Sequence, residues 1–271
     1  MPGVAAVYRQ ELVKLRYQRR TYLGLGAAVV VPLLFVGALS LQSGQPNDVA
    51  FGAYVRQSGL AIPLVLLIFG SIWLFPLVTA LVAGDIVAAE DHNGTLKTIL
   101  TRSVGRSQLL TGKLAAAATY TVLTTALMGA TAIVAGSLES GFNSLVSLSG
   151  TRVSAVRALG LVVASLGVYM IPLLALMCVG VMLSVVARNS AGAVVGTLMI
   201  SLALQLVSIL PGLGGVKPYL LTEQFQAWQG LLRIPVDLAP LGHAAWVCAI
   251  YALAALIPSY LVFARRDVAG G

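Results

Sequence analysis

Residues 83–113, AGDIVAAEDHNGTLKTILTRSVGRSQLLTGK, hold seven of the 26 charged residues of a 271-residue chain and lie between two long runs that carry none. Asp85 marks where the first run ends, and Glu90-Asp91-His92 follows it. Asn93-Gly94 spells a turn. Thr95 is placed as the N-cap of a short helix, LKTILTR, that Gly105 ends, and Ser107 is placed to cap the next long run. A short helix held on two stems between membrane helices can pass motion from a soluble partner into a membrane. A charged loop that only satisfies topology accounts for the same residues.

The flanking runs decide the fold class. The chain is 58% hydrophobic and 10% charged, against roughly 45–50% and about 25% in soluble domains, which excludes a water-soluble globule. A helix needs about 20 apolar residues to cross the hydrocarbon, and six uncharged runs meet that length: 21–47, 57–84, 114–138, 158–187, 189–216 and 238–264. The expected fold is an all-α polytopic membrane protein, one six-span domain over residues 1–271. The first run exceeds the about 7–15 residues of a secretory h-region, so it reads as a span and not a cleaved signal.

Orientation follows from Lys and Arg near the span ends, since cytoplasmic flanks carry the excess. Six spans put both termini on one side. Twelve cations gather there, in 9–20, 97–113, 188 and 265–266, against five on the other side, Arg56, Arg152, Arg157, Lys217 and Arg233. Both termini and the 83–113 stretch are therefore expected in the cytoplasm. The net charge of +8 sits at membrane boundaries, where anionic lipid attracts it, so membrane lipid is the expected partner and nucleic acid is not.

Residues 1–20 are amphipathic, with Val4, Tyr8, Leu12 and Leu15 on one face and Arg9, Arg16 and Arg20 on another. They are expected to form a helix lying in the interface, or else a plain basic flank. Segment 137–157 reads as irregular or partly helical. The four residues 187–190 allow only a tight hairpin, with Asn189 or Ser190 capping span five. Residues 211–242 are expected to form an outer re-entrant or interfacial segment, with Tyr219, Phe225 and Trp228 as belt aromatics. Pro63, Pro76 and Pro172 should kink their spans. Cys178 and Cys248 read as packing residues without disulfide or metal spacing.

No Asp, Glu, Lys or Arg is expected at membrane depth, which argues against ion coupling and sends the energy source elsewhere. Span five carries Thr197, Ser201, Gln205 and Ser208 along one face, and Gly192 and Gly196 at small-xxx-small spacing. A translocation pathway, a dimer face and packing within the bundle all fit that pattern.

Glu90, Gly94-Thr95-Leu96, Ile99-Leu100, Arg106 and Gly112-Lys113 resemble the E-x3-G-T-L…L-L…R…G-K pattern of the permease subunits of type 2 ATP-binding cassette (ABC-2) transporters. The layout is similar along the whole chain. Ser103-Val104 departs from the Pro-Val of many members. The resemblance implies that 85–107 is a coupling segment docking in an ATPase cleft through Glu90, Gly94, Thr95, Leu96 and Arg106, with Arg106 and Lys113 held against lipid phosphates or the ATPase.

The resemblance further implies an exporter in the plasma membrane, a homodimer of permease chains served by two copies of an ABC ATPase, and a hydrophobic or amphiphilic substrate. The sequence has no G-x4-G-K-[ST] phosphate loop, so the chain is expected to be no enzyme and to bind no cofactor, ATP and Mg lying on the partner. An intramembrane serine protease would need a Ser and a His at matching depth, and the only histidines are His92 and His243. A non-transporting membrane scaffold or immunity protein shares every topological feature and stands as the alternative.

Overall fold

The computed structural model describes residues 3–41, 50–95 and 105–265. In chain order the helices are α1 (Val4–Tyr17), α2 (Arg19–Leu41), α3 (Ala61–Gly70), α4 (Leu74–Ala83), α5 (Ala88–His92), α6 (Arg106–Ser140), α7 (Ala155–Ala187), α8 (Ser190–Ile209) and α9 (Ala239–Ala264). α2, α6, α7, α8 and α9 are each long and apolar enough to cross a membrane, and α3 with α4 forms an apolar pair bent by 62° that meets the same test when the two are taken together. The molecule is thus a polytopic helical membrane protein. Among the described residues the only strands are a two-residue antiparallel ladder, β1 (Leu145–Val146) on β2 (Arg152–Val153), inside the segment expected to be irregular.

Span two breaks at Ser71-Ile72-Trp73 for a local reason. Pro76 has no N–H to offer the Ile72 carbonyl, and its ring crowds that carbonyl, which favours a break at this point. α4 restarts with Pro76 in its first turn. Gly70 accommodates the fold-back, since a Cβ there would lie 2.6 Å from the Phe75 ring. Pro63 sits in the first turn of α3 and interrupts nothing. α7 runs helical through Pro172, so of the three expected kinks only the one at Pro76 coincides with a break.

The break also divides the core. α3 packs into one cluster with Phe51, Tyr169, Phe225 and Trp228, and α4 from Val78 onward packs into another with Val7, Leu15, Leu110, Tyr120 and Phe263. α7 runs through both. In the most apolar window of α7, 61% of residues are buried, against 22–28% in α2, α8 and α9, so α7 is the central helix and those three leave much of their surface to lipid.

At the end away from the termini, a 3-10 helix, Glu223–Leu232, closes over the bundle. This corrects the belt reading of two aromatics. Tyr219 is exposed, but Phe225 and Trp228 are fully buried, with Phe225 stacked on Tyr169 and Trp228 on Phe51. Gly59 and Gly136 meet backbone to backbone beside this cap, where a Cβ on Gly59 would come 2.1 Å from the Gly136 carbonyl oxygen.

Candidate functional site

The charged stretch that begins at Asp85 is keyed into the bundle one residue at a time. Gly84 lets α8 approach so closely that a Cβ there would lie 2.8 Å from the Val194 backbone nitrogen. Asp85, 2% exposed, pairs with Arg20 at the start of α2 and accepts a hydrogen bond from the Ser190 hydroxyl. Arg20 donates to Ser190 at 3.2 Å, which ties span one to the α7–α8 hairpin. The free N–H groups at the start of α5 go to another helix. Val87 and Ala88 donate to the Ser184 hydroxyl of α7 at 3.1 and 2.9 Å, a cap supplied in trans for donors that a helix start always leaves open.

α5 then presents Glu90 to a closed ring of four charges. Lys14 of α1 pairs with Glu11 at 2.7 Å and with Glu90 at 2.5 Å, and Lys113 of α6 pairs with Glu11 at 3.1 Å and with Glu90 at 2.8 Å. Each carboxylate gives one oxygen to each lysine. Lys113 is completely buried, and it also donates to the Ile86 carbonyl at 2.9 Å. A desolvated ammonium is tolerated only when its protons are paired in this way.

Burial works against the Glu90 carboxylate, but the charge and hydrogen bond of Lys113, with those of Lys14, outweigh it and hold its pKa below the usual carboxylate value of 4.5. Burial likewise works against the Lys14 ammonium, and the hydrogen bonds to Glu11 and Glu90 outweigh it, raising its pKa above 10.5. Both groups stay charged at neutral pH. With two positive and two negative charges the ring is neutral, and it holds three chain segments together instead of passing a proton.

The placement of the sequence-predicted residues is mixed. Glu90 and Lys113 lie in the ring, so Lys113 faces neither lipid phosphates nor the exterior. Gly94 is exposed at φ +68° with open space around it, and exposed Thr95 donates its hydroxyl to the Glu90 carbonyl at 3.2 Å. Leu96 and the remainder of the expected coupling helix, through residue 104, lie outside the described residues. Arg106 donates to the Ala264 carbonyl at the end of α9, and the cap of α6 is Gly105, whose N–H donates to Gln108, not Ser107. Asn189 does cap α8, accepting from Gly192 N–H at 3.2 Å.

On α8, Thr197, Ser201 and Ser208 are buried and Gln205 half-buried. Thr197 returns its hydroxyl to the Ala193 carbonyl and abuts Gly180 of α7. The glycines that allow close approach at this contact are Gly84 and Gly180, while Gly192 is exposed and Gly196 touches only Leu183. At the opposite end of the molecule both ring nitrogens of His243 are engaged, on the Pro218 carbonyl and the Trp246 indole.

Glu11, Lys14, Arg20, Asp85 and Ser184 escaped the sequence reading as site residues. The missed signal is in α1, where Val7 and Glu11 are buried with Leu15, while Tyr8 and Leu12 of the expected face pack partly buried on the same cluster and only Val4 is exposed. A carboxylate spaced i, i+4 between two apolar residues marks a buried partner elsewhere. Because that face packs on α6, α1 is a bundle element as well as an amphipathic helix. Among the described residues, no group of His, Cys, Asp or Glu is arranged to hold a metal ion.

Fold and hub define a helical membrane protein with a polar clamp at the end that carries its N-terminus. The chain belongs to the family described as protein of unknown function (DUF2705), whose model matches residues 27–269. No curated protein matches it.

Proposed function

We propose that this chain is the permease subunit of an ATP-driven exporter, moving a hydrophobic or amphiphilic substrate out across the plasma membrane with energy from a separate ATPase. The observation that carries the proposal is the four-charge ring at the root of the 85–107 segment. Glu90 stands four residues before Gly94 and is tied at once to α1 through Glu11 and Lys14 and to α6 through Lys113. A push on the exposed turn at Asn93–Thr95 therefore reaches α1, the start of the long helix α6 and, through Ser184, the central helix α7. In this scheme two copies of the ATPase close on ATP, the segments of a permease homodimer move with them, and the bundles shift between two access states. Sidedness follows the positive-inside count, with both termini cytoplasmic.

The test uses residues outside the ring, because substitutions in the ring also disturb folding. The tagged full chain and its Gly94→Val and Leu96→Asp variants are purified in mild detergent, co-purifying polypeptides are identified, and ATP turnover is measured. The expected outcome is a stoichiometric ATPase with the parent chain and its loss from both variants at unchanged membrane insertion. Absence of any ATPase, or its full retention by both variants, overturns the permease assignment in favour of a non-transporting scaffold.

A further inference from the structure

α2, α6, α7 and the α3–α4 pair each carry a defect in the helical hydrogen-bond ladder. Between α3 and α4 the last bonds run from Ser71 N–H to the Leu67 carbonyl and from Ile72 N–H to the Phe69 carbonyl, both at 3.3 Å. The N–H groups of Trp73, Leu74 and Phe75 then make no backbone hydrogen bond to α3. In α2 and α7, buried Pro32 and Pro172 leave the carbonyls of Ala28 and Val168 without their ladder donor. In α6, buried Thr121, Thr124 and Thr125 return their hydroxyls to carbonyls one turn back at 3.0, 2.8 and 2.8 Å, a contact that weakens and bends helices.

Contacts between the helices set these defects in one layer. The Phe69 ring, just before the break, stands 6.4 Å from that of Phe35, three residues past Pro32. The Phe75 ring, just after it, stands 4.8 Å from that of Tyr169, three residues before Pro172. Leu166 of α7 packs on Gly129, one turn past Thr125. Packing changes across the same layer, since α3 joins the cluster under the 3-10 cap and α4 joins the cluster around α1. The inner end of α4 is fastened to the hub through Asp85. At the break itself Phe69, Trp73 and Leu77 are exposed, so no described helix braces that side. A joint held at both ends and unbonded in the middle bends there first, and hinges are built from a few such element-terminal residues. We propose that this layer is a hinge, at which the inner half, with α1, α4, α5 and the hub, tilts about Ser71–Trp73 against the outer half, with α3 and the cap, while α2, α6 and α7 flex where their ladders are weakest.

The hinge rests on ladder and packing and not on the transport reading. Nitroxide pairs are placed in the full chain, with the buried Cys178 and Cys248 replaced by alanine, and distance distributions are recorded by pulsed electron resonance in lipid nanodiscs. One pair crosses the layer, from exposed Tyr17 to exposed Val156, and two lie within a half, Tyr17 with Val186 and Val156 with Val236. A tilt of about 20°, the size of a sharp kink, swings a label roughly 15 Å from the break, the length of about ten helical residues, by about 5 Å. The crossing distribution should be broader than the other two by about that distance. Pro76→Ala supplies a donor to the Ile72 carbonyl and Pro172→Ala one to the Val168 carbonyl, and each should narrow the crossing distribution alone. Equal widths for the three pairs overturn the hinge. So does a broad crossing distribution that survives both alanines or narrows only together with the other two.

Discussion

At the end that carries the N-terminus, α1, α5 and α6 meet through Glu11, Lys14, Glu90 and Lys113, whereas at the opposite end the 3-10 helix Glu223–Leu232 closes on the bundle through Phe225, Trp228 and Leu232. One joint is made of desolvated charge and the other of apolar area. Apolar burial is non-directional and grows with area removed from water, so the aromatic cap secures its end without specifying much beyond volume. Buried ion pairs contribute little net stability compared with apolar replacements, yet leaving one partner alone is costly. The charged joint is therefore sensitive to the removal or movement of any one member, which suits the coupling role proposed for this segment.

The largest effects should come from breaking each joint at its centre. Lys113→Met leaves the Glu11 and Glu90 carboxylates to share Lys14 alone and is expected to cost about 3–5 kcal/mol. Trp228→Ala, at a fully buried position, should cost about the same through the cavity it opens. Unfolding of the detergent-solubilised chain measures both, and pH separates them. The Lys113→Met penalty should shrink in acid, where the carboxylates can protonate, and the Trp228→Ala penalty should not. Equal pH profiles for the two variants would erase the contrast between the ends.

A second measurement sharpens the contrast in the unaltered protein. The folded pKa of Glu90 lies below 4.5, so its stabilisation is present above that value and is lost as pH falls through the lowered one. Lys14 has the opposite sign: its stabilisation is complete below 10.5 and fades as pH rises through its raised value. Glu90→Gln should flatten the acid limb, and an unchanged limb would move the titration elsewhere.

Smaller effects test the surroundings of the hub. Ser184→Ala removes the acceptor shared by Val87 and Ala88 and should cost about 1–3 kcal/mol, visible as faster amide exchange at α5. Gly94→Ala meets no neighbour but forces a side chain into left-handed backbone, at about 1 kcal/mol. It should alter proteolysis of the 93–95 turn and leave global unfolding in place.

The six apolar runs were legible because hydrocarbon demands length and the absence of charge, and both are written along the chain. The α7–α8 hairpin and its Asn189 cap were legible because four residues leave no other geometry. The bend in span two was only half visible: Pro76 announced a defect, but its position at the seam between two core clusters depends on Phe51, Trp228 and Val7, all distant in sequence. The ring was hidden for the same reason. Glu90 and Lys113 stood out only as parts of a cytoplasmic motif, and their counter-charges come from α1, where a hydropathy pattern treats Glu11 as a blemish on an apolar face. Of the three readings open for the span-five stripe, packing within the bundle describes Thr197, which satisfies its hydroxyl within its own helix and faces Gly180.

The ring also constrains how this family can diverge. Positions 11, 14, 90 and 113 lie far apart in the gene but share one closed circuit of charge. A reversal at one of them sets it against both of its neighbours, and only reversal of all four restores the alternation. Descendants should therefore inherit these four positions as a set, unchanged, reversed together or jointly replaced by apolar residues, while neighbours such as exposed Val13 and Asn93 drift independently.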